Sequence, residues 1–156
     1  MAKKVAKDTP LAEITLRRYE KPYDTNRREL AKKLCLSLGL LQPGDSRDIV
    51  VDVLLTLLEA KKGRKELSSE DVEKEAIKIR KENNLSLNGV ASSNIRRQIK
   101  RLRDIFLIEK VKSRYRVNEF AKLNDIFSEK IETFFLANIS SRIKEYLQRA
   151  DEVFSQ

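Results

Sequence analysis

Between Arg96 and Arg116 the chain sets nine basic residues against two acidic ones. The bases are Arg96, Arg97, Lys100, Arg101, Arg103, Lys110, Lys112, Arg114 and Arg116; the acids are Asp104 and Glu109. That window nets +7 in a chain that nets +9. Guanidinium and ammonium groups at this density neutralise phosphates, and arginine can also donate bidentately to guanine. The first half of the window, SSNIRRQIKRLRDIF, has helical periodicity. The second, IEKVKSRYRV, reads as strand, basic tip, strand. A basic helix followed at once by a basic hairpin is the layout of a nucleic-acid reading head. The charge is local: residues 1–45 net +4, residues 46–95 net zero and residues 117–156 net −2. The excess sits where a polyanion could be gripped.

On a helical wheel Ile95, Ile99, Leu102 and Phe106 form one narrow stripe that should face a core. Ser93, Arg97, Lys100 and Arg101 fall on the opposite side. Arg96 and Arg103 flank one edge, Asn94 and Gln98 the other, and Ser92 or Ser93 should cap the start. A solvated face usually alternates sign to gain i,i+4 pairs; this helix has five bases before its first acid. In the hairpin, Lys112 and Arg114 at the tip suit phosphate or minor-groove contact. The bland alternative is a charged hairpin that discourages edge pairing. Tyr115 is expected to pack the hairpin rather than stack on a base.

The residues argue against other chemistry. There is no histidine and one cysteine, so neither the commonest general base nor a Cys-rich zinc site is expected. Cys35, among leucines, should be a buried small hydrophobe. Gly39 and Gly44 have Walker spacing, but Asp45 stands where the lysine belongs. The acids from Glu70 to Glu75 suit a helix start better than a metal. No catalytic residue, metal, cofactor or small-molecule ligand is expected. Neither a spanning segment nor a secretory signal is expected, which implies a cytoplasmic protein. Few Gln, one Met, one Cys and many Lys, Arg and Glu point to a thermophile of archaeal type.

The elements that must position the window are mostly helical. Residues 1–10 read as a tail, and Ile14–Tyr19 as a short strand or extended arm. A helix from Asp24 or Thr25 should bury Leu30, Leu34 and Leu38 and end at Gly39. Asp45 or Ser46 should cap a second helix, Arg47 to Ala60, apolar nearly all round and therefore central. Lys65–Leu67 is a candidate strand. Ser68 and Asp71 form a capping-box-like start to a third helix, running to about Asn83 with Val72, Ala76 and Ile79 inward. Leu85 and Leu87 follow in a long turn and could plug the core. From Asn118 to Phe154 a long helical pattern follows, with a break expected near Asn138–Ser141.

From residue 46 the order is helix, short strand, helix, helix, strand, tip, strand. This resembles the winged helix-turn-helix superfamily over about half the chain, with flanks like those of archaeal transcription regulators in that superfamily. The resemblance implies an arm at 1–23, an N-terminal helix and turn at 24–45, a winged-helix domain at 46–118 and a C-terminal helical extension at 119–156. It implies that Ser93, Asn94, Arg97 and Gln98 read bases, with Ser92, Arg96, Lys100, Arg101, Lys112 and Arg114 completing the DNA contacts. It also implies a homodimer through the terminal helix, with Phe127, Ile131, Phe134, Phe135, Ile139, Ile143, Tyr146, Leu147 and Phe154 at the interface. The alternative for that helix is packing within the chain. The expected function is sequence-specific binding of double-stranded DNA by a dimeric transcription regulator. Two other classes stay open: a protein-interaction module of a transcription or replication assembly, and a nonspecific architectural or RNA-binding protein.

Overall fold

Helix α2 (Ile49–Lys62) is the centre of the molecule, with Val50, Val51, Val53, Leu54 and Leu57 all buried. A helix apolar around most of its circumference must be covered on most sides. Here α1 (Arg27–Ser37), α3 (Ser69–Glu82), α4 (Ser92–Asp104) and the second hairpin strand cover it. This arrangement comes from a computed structural model that describes residues 7–155. The start of the expected tail, residues 1–6, lies outside the described residues.

Two expected helix starts move. Asp48, not Asp45 or Ser46, precedes α2, and its side chain caps nothing because it is engaged elsewhere. Asn26 caps α1 through its side chain, accepting from the Glu29 amide at 2.8 Å. The buried face of α1 is Arg28, Ala31 and Cys35. Leu30, expected inside, is 54% exposed. It lines an open groove of about 870 Å³ with Tyr19, Tyr23, Leu34, Leu55 and Leu58. The α3 capping box is present: Ser68 Oγ accepts from the Asp71 amide, and Asp71 accepts from the Ser68 amide.

Residues 14–19 make no strand. They run as an extended arm over the end of α1, held by the Arg17 amide on the Ser37 carbonyl at 2.9 Å. The Arg17 guanidinium adds bonds to the Leu36 and Leu41 carbonyls. The arm passes so close to Gly39, at φ +73°, that a Cβ there would collide with the Thr15 carbonyl oxygen. Only glycine meets both conditions.

Strands β1 (Ile108–Val111) and β2 (Arg114–Val117) pair antiparallel, Ile108 opposite Val117 and Val111 opposite Arg114. Leu67 joins their edge through a reciprocal pair of backbone bonds with Tyr115. The candidate strand at 65–67 is thus a single bridge. Leu85 and Leu87 do not plug the core: Leu87 is 42% exposed, and the loop is held by its Ser86 carbonyl, which accepts from Arg80.

The C-terminal helical run does not break at Asn138. It passes from α5 (Leu123–Ile126) through a π-helical stretch (Phe127–Leu136) into α6 (Ala137–Phe154), with helical backbone angles at each junction. Thr133 Oγ1 donates to the Ser128 carbonyl five residues back, following the wider turn. Successive side chains there diverge by less than in an α-helix, so adjacent Phe134 and Phe135 both meet Phe106 edge-on, at 6.2 and 6.1 Å. None of the described helices is long and apolar enough to cross a membrane.

Candidate nucleic-acid interface

Helix α4 seats Ile95, Ile99 and Leu102 in the core, each 1% exposed or less. The expected stripe is right for these three. Phe106 falls beyond the helix end, in a left-handed conformation, and supports the C-terminal run instead. Ala91, not a serine, precedes α4, and no side chain caps it. The Ser92 hydroxyl donates to the Glu73 carboxylate on α3 at 3.0 Å. Ser92 therefore ties two helices together rather than presenting a free donor.

Beside the apolar stripe runs a second, polar one, whose residues the wheel places on an edge, Asn94 and Gln98, or on the outer side, Arg101. Asn94 donates to the Gly89 carbonyl at 2.8 Å and accepts from Gln98 at 3.1 Å. Gln98 in turn accepts from Arg101 Nη1 at 2.8 Å, and Arg101 Nη2 donates to the Leu40 carbonyl at 2.6 Å. Gln98 is buried, and Asn94 and Arg101 are half-buried. Their spacing of four and three makes them one continuous row along the helix. The row anchors α4 to the loops before α4 and after α1. Three expected DNA contacts, Asn94, Gln98 and Arg101, are thus turned to the protein. A buried amide must spend its donors on nearby acceptors, so Gln98 is not placed to meet a base edge.

Ser93, Arg96, Arg97, Lys100 and Arg103 remain on the exposed face. Lys100 pairs with Asp104 at 3.0 Å. Arg96, Arg97 and Arg103 have no acidic partner among the described residues. Strand β1 packs against α4 and carries the hairpin. At the hairpin tip, Lys112 and Ser113 have φ of +47° and +62°, the two-residue turn that normally uses Asn-Gly. Lys110, Lys112 and Arg114 are exposed. Arg114 makes one bond, to the Glu66 carbonyl at 3.3 Å. Arg116 is committed: it pairs with Glu109 at 3.0 Å and lies over the Phe120 ring, which Arg64 also approaches. The Tyr115 ring is half-buried and packs within the hairpin, as expected, with Lys110 Nζ 5.9 Å from its centre.

The expected interface residues of the C-terminal run divide in two. Ile131 is fully buried within the chain, Phe127 is half-buried against the core, and Phe135 is half-buried beside Phe106. Phe134 is 55% exposed but rests an edge on Phe106. Among the described residues, α6 packs chiefly on the π-helical stretch that leads into it, and Ile139 is half-buried. Ile143, Tyr146, Leu147 and Phe154 are all more than half exposed. Ile131 is thus a core residue, not a contact surface.

A buried ion cluster escaped the sequence reading. Arg28 and Arg80 approach Asp48 and Asp52 from α1 and α3, and all four are buried. The signal was there: Asp48 and Asp52 stand four residues apart at the start of the most apolar helix. Burial alone would push the Asp48 carboxyl up, but bonds and charge from Arg80 and Arg28 outweigh it and hold the carboxyl below its ordinary range. Cys35 is buried as expected, and desolvation pushes its thiol up to about 12. Compared with known protein families, characterised proteins and solved structures, the chain finds no match.

Proposed function

We propose that this chain is a winged-helix protein that binds double-stranded DNA sequence-specifically, as a dimeric transcription regulator. Helix α4 enters the major groove, and the hairpin rests on the backbone or in the minor groove. The supporting observation is the exposed face of α4, where Ser93, Arg96, Arg97 and Lys100 precede the first acid. The inward row of Asn94, Gln98 and Arg101 sharpens the assignment, because it fixes the helix's rotation and leaves the unpaired arginines outward. Arg96 and Arg97 read bases, with Ser93 beside them. Lys100, Lys112 and Arg114 hold phosphates. The free part of α6 joins two copies, so that two reading heads meet two half-sites.

The test is a titration against duplex DNA fragments selected from a genomic pool, repeated at several salt concentrations. Affinity should fall steeply with salt and exceed that for scrambled duplexes by ~10³-fold or more. No salt-dependent binding to any duplex would end this reading. A stoichiometric acidic protein partner recovered instead would favour the protein-interaction alternative.

A further inference from the structure

The C-terminal run leaves the domain with one apolar face, half-buried at Leu136 and Ile139 and exposed from Ile143 onward. Leu136, Ile139, Ile143, Tyr146, Ala150 and Val153 are spaced by three, four, three, four and three residues. That is an unbroken a/d seam of a coiled coil. Val153 is 51% exposed, and Ile143 and Tyr146 are more exposed still. Unlike Ile131, the seam from Ile143 onward is left exposed by the other described residues. We propose that a second copy covers it as a parallel, in-register coiled coil. This inference rests on the dimeric reading above and adds its orientation.

The flanking residues decide the direction. Arg142 and Arg149 occupy the g positions of this seam, and Leu147 and Phe154 the e positions. In a parallel pair each g edge meets the partner copy's e edge. The arginine stems then lie on leucine and phenylalanine, and Arg149 can stack its guanidinium on the aromatic ring. In an antiparallel pair the g edges meet each other and set arginine against arginine. Each arginine keeps an acid three residues on in its own chain, Arg142 on Glu145 and Arg149 on Glu152. That softens the repulsion, but the opposed g edge offers no acid in return. A parallel coil also brings both domains to one end, related by a twofold axis along α6. The two copies of α4 then face an inverted rather than a direct repeat.

Single-cysteine cross-linking tests the orientation. Native Cys35 is fully buried and does not compete. Val153→Cys lies at the free end of the seam, away from the core. Under mild oxidation it should form a disulfide with its own copy, as in-register pairing requires. If a mixture of L136C and V153C chains gives only the mixed disulfide, the coil is antiparallel and this proposal falls, while the dimer stands. A dimer by sedimentation that cross-links in neither way uses another surface and also overturns it. Ile143→Asp should raise the dimer dissociation constant by ~10-fold or more without unfolding the domain. A wild-type chain monomeric at every concentration would overturn the dimeric reading together with this one, whatever its affinity for a single half-site.

Discussion

Arg28 and Asp52 meet in the middle of the fold through two parallel hydrogen bonds, Nε to Oδ1 at 2.9 Å and Nη2 to Oδ2 at 3.2 Å. Asp52 also accepts from Arg80 at 2.7 Å. One carboxylate on α2 therefore fastens α1 and α3 and, through the Ser86 carbonyl on Arg80, the loop that leads into α4. Asp52→Ala would leave two guanidinium groups buried with only Asp48 to share. A loss of about 3–5 kcal/mol is expected, the range for breaking a buried charge cluster at one member. Urea unfolding followed by circular dichroism measures it. A loss under ~1 kcal/mol would mean the cluster behaves like a surface pair.

The same cluster sets an acid limit. The Asp48 carboxyl is lowered in the folded state, so the folded protein holds that proton less tightly than the unfolded chain does. Its contribution is complete above the ordinary aspartate value of about 3.9 and is lost as the pH falls through the lower folded value. Melting temperature should be level from neutral pH into the weakly acidic range, then drop below about pH 4. Asp48→Asn should flatten that acid limb relative to wild type. An acid limb unchanged by the substitution would assign the loss to other carboxylates.

Ser113 sits at φ +62° in the hairpin turn, where a side chain is disfavoured and glycine is not. Ser113→Gly should raise stability by ~1 kcal/mol. It leaves the charges of Lys112 and Arg114 in place, so the salt slope of DNA binding should not move. A destabilised variant would show that the hydroxyl or Cβ makes a contact that outweighs the backbone gain.

The central place of α2, the α3 capping box, the hairpin and the inward stripe of Ile95, Ile99 and Leu102 were legible in sequence, because each depends on local pattern. Polar residues beside that stripe were not. A wheel places Asn94 and Gln98 on an edge and Arg101 on the outer side, but their direction depends on whether a carbonyl waits on a neighbouring loop. Gly89 and Leu40 supply those carbonyls from segments distant from α4 or just before it. Leu30 failed for the opposite reason. Its spacing fits a core face, yet Arg28, drawn inward by two aspartates, turns α1 the other way. The break expected at Asn138 rested on capping residue types alone, and a continuous helix passes through it.

Arg97 and Arg101 lie one turn apart on α4 but should respond to substitution in different ways. Arg97 is exposed and has no acidic partner among the described residues. Arg101 spends its guanidinium on Gln98 and the Leu40 carbonyl. Under the proposed function, Arg97→Ala should weaken selected duplexes by ~1–3 kcal/mol while barely changing scrambled ones. Lys112→Ala should weaken every sequence alike and reduce the salt slope by about 1. Arg101→Ala should chiefly lower the melting temperature, because it removes two bonds that hold α4 to the rest of the fold. Fluorescence anisotropy against matched and scrambled duplexes, run beside thermal melts, separates the three. If Arg101→Ala lost specific affinity with its melting temperature intact, the inward row would have to open on DNA and the assignment of readers would be reversed.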